Sequence, residues 1–312
     1  MKEINLFFAC DDAYLPFLAV TLTSVKENRD PARRYAVRVL HTGLRRENIC
    51  RVSAMAEPDF SVEFCDISGK MADFAEKFHT RDYYSASTYY RLFIPELFPE
   101  LDKALYLDSD LVVRGDISRL YDTELGENLV GAVPDGIINT VRELGLYAVK
   151  RLDLPTPERY FNAGVLLMNL REMRQCRFAE NFVELLGAVT FRVAQDQDYL
   201  NVLCRDRVTY LGYEWNTMPT GIRTESPLLI HYNLDGKPWQ RDDVAFGEAF
   251  WDHAERSGFY EELRDIRRNY SREQAERGAR QTREVIALGY RQAMDEPENR
   301  RLHQTYKRVV NL

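Results

Sequence analysis

Short apolar runs alternate with longer amphipathic stretches over the first two thirds of the chain. Residues 4–9, 35–40 and 61–67 read as strands, with helices over 15–28 and 45–56 between them. Apolar runs bounded by charge suit the buried strands of a parallel sheet, and β-α alternation predicts helices on both its faces. Residues 85–98 read as a helix that Pro95 bends or ends. A further buried strand covers 104–107, a short helix 117–121, and another strand 129–134, which ends at Asp135. Residues 136–160 are polar and hold Pro155 and Pro157, so they read as a loop or lid. A strongly apolar strand follows over 161–170, then helices over 177–189 and 199–204, a strand over 208–211, a loop over 215–221 and a last core strand over 228–232. From about residue 260 the chain turns Arg- and Glu-rich at helical spacing with little bulk, as a solvated helical appendage would.

The stretch 102–118 organises this pattern. Its strand ends in Asp108-Ser109-Asp110. Two carboxylates at the carboxyl end of a buried strand lose hydration and have no cation beside them in sequence. A divalent metal removes that difficulty, because hard cations take oxygen ligands. Ligands in open α/β sheets bind beyond the carboxyl ends of the strands, so a metal holding a phosphorylated ligand is one reading. A solvated acidic turn is the other.

Arg91 lies in an apolar, aromatic stretch and calls for an anion, either a structural carboxylate or a ligand. Gln195-Asp196-Gln197-Asp198 opens a helix with more polar groups than a cap needs. His231 ends the last strand, with Lys237-Pro238-Trp239 six residues on. A lone His there is ordinarily structural; a His and a Lys together turn the balance toward metal plus phosphate.

Composition narrows the classes. The 312 residues suit one large α/β domain with a C-terminal appendage, or two modest domains. A net charge of −7 argues against a nucleic-acid binder. Five scattered cysteines without CxxC spacing fit a reduced cytoplasmic protein with buried thiols and no zinc site. No signal peptide precedes the first strand, no GxGxxG is present, and no apolar run is long enough to span a bilayer.

Five motifs in order, Ala9-Cys-Asp-Asp-Ala-Tyr14, Leu105-Tyr-Leu-Asp-Ser-Asp110, Tyr160-Phe-Asn-Ala-Gly164, Gln195-Asp-Gln-Asp198 and His231-Tyr…Lys237-Pro-Trp239, make residues 3–255 resemble glycosyltransferase family 8. That family includes bacterial lipooligosaccharide galactosyltransferases, general-stress-type sugar transferases and glycogenin. The resemblance implies a Rossmann-like, GT-A type α/β fold: a mixed, mostly parallel sheet over 1–258, with the helical extension at 259–312. It implies a retaining hexosyltransferase that uses Mn2+ (or Mg2+) and a UDP-sugar, glucose or galactose. By it, Asp108, Asp110 and His231 ligate the metal and Tyr14 stacks on uracil, with Ala9 and Asp11 near the nucleoside. Ser109 sits between the two metal ligands, and Lys237 meets the diphosphate. Arg91, Asp135, Asn162, Ala163, Asp196 and Gln197 surround the sugar, and Gln197, Asp196 and Asp135 carry the chemistry.

The acceptor would be a glycan, a lipid-linked sugar or a protein. The extension would dock to a partner subunit, a second copy or the inner membrane face, and catalysis would not need it. Ala13, Asn233-Leu234 and Tyr83 stand where members often carry Asn, Cys-Gly and His. The competing readings are a Mg2+-dependent phosphohydrolase with Asp108 as nucleophile, and a non-catalytic UDP-sugar sensor.

Overall fold

The computed structural model describes residues 3–74, 78, 86–220, 224–234 and 236–310. Tyr83, Ser85 and Gly221, each part of an expectation above, lie outside them. Nine strands are present among the described residues: β1 Glu3–Ala9, β2 Arg34–His41, β3 Phe60–Asp66, β4 Lys103–Leu107, β5 Leu111–Val113, β6 Val130–Pro134, β7 Phe161–Asn169, β8 Val208–Tyr210 and β9 Leu229–His231.

Seven of them form one sheet in the order β3-β2-β1-β4-β7-β6-β8. β7 alone runs against its neighbours, pairing antiparallel with β4 and β6. The sheet is mixed and mostly parallel, as expected. Its central strands are buried on both faces, which explains their uninterrupted apolar runs. Helix Leu15–Glu27 covers one face, burying Leu15, Leu18 and Leu22. Helices Phe178–Ala188 and Asp196–Leu203 pack on the other.

Four expectations are corrected. The strand at 228–232 is not in the core sheet: β9 pairs antiparallel with the three-residue β5 in a separate two-stranded sheet. Local sequence could not show this, because β5 finds its partner more than a hundred residues away. Pro95 does not end a helix. It sits in the first turn of the short helix Ile94–Leu97, where its missing N–H costs nothing, after a 3-10 segment over Ala86–Phe93. Residues 136–160 are not irregular: they form helices Gly136–Thr140 and Arg142–Lys150, the second burying Leu144, Tyr147 and Ala148 on one face. Finally, Cys50 is exposed, Cys65 and Cys176 are half-buried, and only Cys10 and Cys204 are buried thiols.

The C-terminal helices Tyr260–Asn269, Arg272–Ala293 and Glu296–Val310 do carry a charged outer face. Their inner face is not solvated. Leu302, Tyr306 and Val309 belong to the same apolar core as β4 and β7. Gly289 lets helix Arg272–Ala293 approach helix Arg142–Lys150 closely: a Cβ there would lie 3.0 Å from Leu144 Cδ2. Packing is therefore continuous across the change of composition near residue 259. Among the described residues no helix is long and apolar enough to cross a membrane.

Asp198 is buried beneath the sheet, accepting from Tyr160 (2.8 Å), Tyr147 (2.8 Å) and the Ala194 amide (3.0 Å). Burial raises its pKa to about 6 against those hydrogen bonds. Asp196 is raised further, as described below. A raised carboxyl pKa means the folded state holds a proton the unfolded chain has lost, so stability falls as pH rises. We expect the thermal midpoint of the metal-free protein to drop from pH 4 to pH 7, and Asp198→Asn to flatten the part below pH 6. Parallel midpoint curves for the two proteins over that range would contradict this.

Candidate functional site: a cleft at the strand ends

The cleft is built from the polypeptide turns that follow β1, β4, β6 and β9. After β4 the chain runs through Asp108, Ser109 and Asp110 into β5. Thr21, buried in helix Leu15–Glu27, holds this bend: its hydroxyl accepts from Leu111 N (3.1 Å) and lies 2.9 Å from the Ser109 carbonyl. The pairing of β5 with β9 then sets Leu111 opposite His231, and Tyr232 N donates to Asp110 O at 3.0 Å. Two carboxylates and an imidazole more than a hundred residues apart thus share one corner.

Their ligand atoms lie within 4.8 Å of one another. His231 Nε2 is 3.4 Å from Asp110 Oδ1 and 3.7 Å from Asp108 Oδ2. Gly164 makes room for the cluster, since a Cβ there would lie 2.3 Å from His231 Cε1 and 2.7 Å from Asp108 Oδ2. On the ring's other side Nδ1 is 3.0 Å from Asn216 Oδ1. The Asn216 amide is oriented by its own bond from Nδ2 to Asn162 Oδ1, 2.9 Å. Nδ1 is therefore the donor, and Nε2 presents a lone pair to two carboxylates. That is the tautomer a metal ligand needs, and the outer partner that fixes it. Two carboxylates and one imidazole fit Mn2+ or Mg2+, with the nitrogen favouring Mn2+.

Lys237 Nζ lies 2.6 Å from Asp110 Oδ2, both groups buried. Burial pushes the Asp110 carboxyl up, but Lys237 and then His231 outweigh it and hold it well below the usual range. Arg91, 3 % exposed, bridges two acids: Nη2 is 2.9 Å from Asp108 Oδ1 and Nε 3.2 Å from Asp196 Oδ2. It also donates to the Ala163 carbonyl and lies over the Tyr106 ring at 4.2 Å. The two readings of Arg91 thus merge, because its structural carboxylates are themselves site residues. Burial lifts Asp196 to about 7, with Arg91 offsetting part of the rise.

Gln195, at φ +49°, turns the chain so that Asp196 and Gln197 open their helix facing the cleft. A non-glycine residue so placed costs about 1–3 kcal/mol. Gln197 is held on both ends: Oε1 accepts from Ala163 N (2.9 Å) and Asn162 Nδ2 (3.2 Å), and Nε2 donates to Asp135 Oδ2 (3.1 Å). Asp135 is saturated in turn. Its Oδ1 accepts from the amides of Ile137 and Ile138, and its Oδ2 also accepts from Asn162 Nδ2.

Ala9, Tyr14, Arg91, Asp108, Ser109, Asp110, Asp135, Asn162, Ala163, Asp196, Gln197, His231 and Lys237 all line this one cleft. Asp11 does not. Its carboxylate accepts from Ala13 N (3.0 Å) and Tyr14 N (3.1 Å), shaping the turn that brings Tyr14 in. Tyr14 sits 3.4 Å from Lys237 Nζ and packs edge-on against Phe17, which stacks on Trp239. Sequence reasoning missed Asn216, Tyr106 and Thr21. Asn216 carried no signal: only the structure shows the polar pair Asn216-Thr217 buried beside the His-bearing strand. Val285 and Ile286, from the supposed appendage, also reach the cleft.

This sheet, with an acidic cluster at the crook of its central strand, is the GT-A fold of glycosyltransferases. The chain belongs to glycosyl transferase family 8, whose model matches residues 5–243. It is 25% identical over 251 residues to a putative glycosyltransferase of Haemophilus influenzae, covering 77% of this chain and 74% of that one. It is 35% identical over 175 residues to the lipopolysaccharide 1,2-glucosyltransferase of Escherichia coli, about half of each chain. Among solved structures it resembles the galactosyltransferase LgtC in complex with donor and acceptor sugar analogues. That likeness has a TM-score of 0.67 at 30% identity and covers 81% of this chain and 96% of that one. Family membership tells against the phosphohydrolase reading, and Asp108, already engaged by Arg91 and Tyr106, is no free nucleophile.

Proposed function

We propose that the protein transfers glucose or galactose from a UDP-hexose to a hydroxyl acceptor, with a divalent metal bound and the anomeric configuration retained. The observation that carries this reading is the joining of two clusters in one cleft. Asp108, Asp110, His231 and Lys237 form a cation-and-diphosphate corner, and Asn216 and Asn162 link it to Asp135 and Gln197. Relatives named as glucosyl- and galactosyltransferases support a hexose donor.

In this reading Tyr14 stacks on the uracil beside Ala9, and Asp11 shapes that turn. Lys237 offsets diphosphate charge. A bound Mn2+ or Mg2+ would supply Lewis-acid charge for the leaving UDP. Arg91, Asn162 and Asp196 position the sugar, and the cleft walls keep water from the donor. The bonds that Asp135 and Asp196 already make tell against a covalent intermediate on either of them. Asp135 already accepts four hydrogen bonds, and Asp196 is held by the Arg91 guanidinium. Attack on the face the phosphate leaves is the route that remains. The departing phosphate oxygen takes the acceptor proton, and Gln197, its carbonyl oxygen held by Ala163 N and Asn162 Nδ2, stabilises the positive sugar.

Release of UDP from UDP-glucose and UDP-galactose, with and without Mn2+, tests the activity. Turnover of simple phosphate esters instead, or binding without turnover, would overturn it. Transfer from an α-linked donor is expected to give an α-linked product by NMR. A β-linked product would refute retention, and a glycosyl adduct on Asp196 or Asp135 by mass spectrometry would refute same-face attack. UDP with metal should protect the fold more than ADP does, and Tyr14→Ala should cost about 1–3 kcal/mol of UDP binding, the range for one base stack. Equal protection by the two nucleotides would contradict the uracil assignment.

A further inference from the structure

The cleft does not end at the sugar-facing network. Asp135 caps helix Gly136–Thr140, so the residues that follow it, Ile137 and Ile138, begin a second wall. Leu144 continues it from helix Arg142–Lys150, and Val285 and Ile286 close it from helix Arg272–Ala293. The last two are half-buried in a helix whose other side is charged. They share one stripe with Gln281 and Thr282 one turn before and Gly289 one turn after, the spacing that puts side chains on a single helix face. Gly289 fixes the distance, since its contact with Leu144 and Tyr147 seats the helix close enough for that stripe to face the cleft. Two polar residues thus stand at one end of an otherwise aliphatic wall.

We propose that this wall is an acceptor subsite, completed by the C-terminal helix, and that it selects an acceptor sugar carrying a methyl-bearing substituent such as a 6-deoxy or N-acetyl group. The inference rests on the donor reading above, which assigns the charged end of the cleft to UDP and leaves the aliphatic end to the second substrate. A fully hydroxylated sugar face laid on Ile137, Ile138, Leu144, Val285 and Ile286 would strand hydroxyls without partners, at a cost. A methyl group there loses only water. Gln281 and Thr282 stand where the remaining hydroxyls of such a sugar would find polar neighbours. The helix lies beyond the residues that match the family, so the preference would belong to this chain and its nearest kin.

The test uses the full chain with UDP and Mg2+ and two matched pairs of probes. Methyl α-D-fucopyranoside is set against methyl α-D-galactopyranoside, and methyl N-acetyl-β-D-glucosaminide against methyl β-D-glucopyranoside. Saturation-transfer NMR titrations are expected to show the methyl-bearing member of at least one pair binding about fourfold tighter, the factor for burying one methyl group. Val285→Thr, close in shape, and Ile286→Thr should erase that difference while circular dichroism shows the fold unchanged. Equal binding within both pairs, binding by none of the four probes, or a preference that survives both substitutions overturns the subsite. UDP release from the donor without acceptor, measured on the same preparation, separates the two readings. Its absence sinks the donor assignment, whereas its presence beside an absent preference sinks the subsite alone.

Discussion

Replacement of Asp110 by Asn is expected to remove metal-dependent turnover and to destabilise the metal-free fold as well. Loss of a group that merely orients a metal ligand costs roughly 10–100-fold, so loss of a ligand should exceed that range. The second effect comes from Lys237. Its ammonium is buried and its close carboxylate partner is Asp110 at 2.6 Å. Removing one member of a buried pair weakens the compensation of the other charge, so the midpoint of the metal-free protein should fall. A second substitution separates the effects: Asp110→Asn with Lys237→Met should recover most of the stability and none of the activity. UDP release and thermal midpoints with and without Mn2+ read both quantities. Full activity of Asp110→Asn in EDTA would remove the metal from the mechanism. A midpoint equal to that of the parent would remove the ion pair from the energetics.

Truncation after Asn269 should abolish the soluble fold rather than leave donor hydrolysis intact. Leu302, Tyr306 and Val309 are buried against Phe191 and the helices of the core. At about 1.5–3 kcal/mol for each buried side chain, their loss approaches the about 5–15 kcal/mol by which whole domains are stable. Asn299 is lost with them, and it bonds Arg151 at 3.1 Å inside the protein. Soluble expression and the unfolding midpoint of the truncated chain check this. A truncated protein that unfolds at the parent's temperature would restore the view of the segment as a detachable appendage.

That view came from composition, and the packing of Leu302, Tyr306 and Val309 in the core argues against it. Leu302, Tyr306 and Val309 stand at helical spacing, so an inward stripe was legible. It was read past because most of the residues between are charged or polar, and a narrow stripe suffices where a helix packs on an existing core. Residues 136–160 misled similarly. Leu144, Tyr147 and Ala148 have helical spacing, but Pro155 and Pro157 drew the whole stretch toward a loop. The parallel half was plain by contrast, because β1, β2 and β4 are apolar for a reason every strand buried on two faces shares. The charged residues of the site were legible as types that burial alone would not tolerate. Asn216 was not, because an asparagine in a loop is ordinary until the histidine it orients is seen beside it.

The antiparallel insertion of β7 has a consequence for synthesis. β1, β2 and β3 pair among sequence neighbours and can form as soon as they leave the ribosome. β4 joins β1 next, but its outer edge waits for Val165–Asn169, some sixty residues later. Asp110 waits longer, since Lys237 follows it by 127 positions. At about 5–20 residues per second, the growing chain carries an uncovered strand edge for about 3–12 seconds and an Asp110 without Lys237 for about 6–25 seconds. An open, apolar edge of that kind invites pairing with another chain. The carboxylates beside it meanwhile keep that edge wetted and charged.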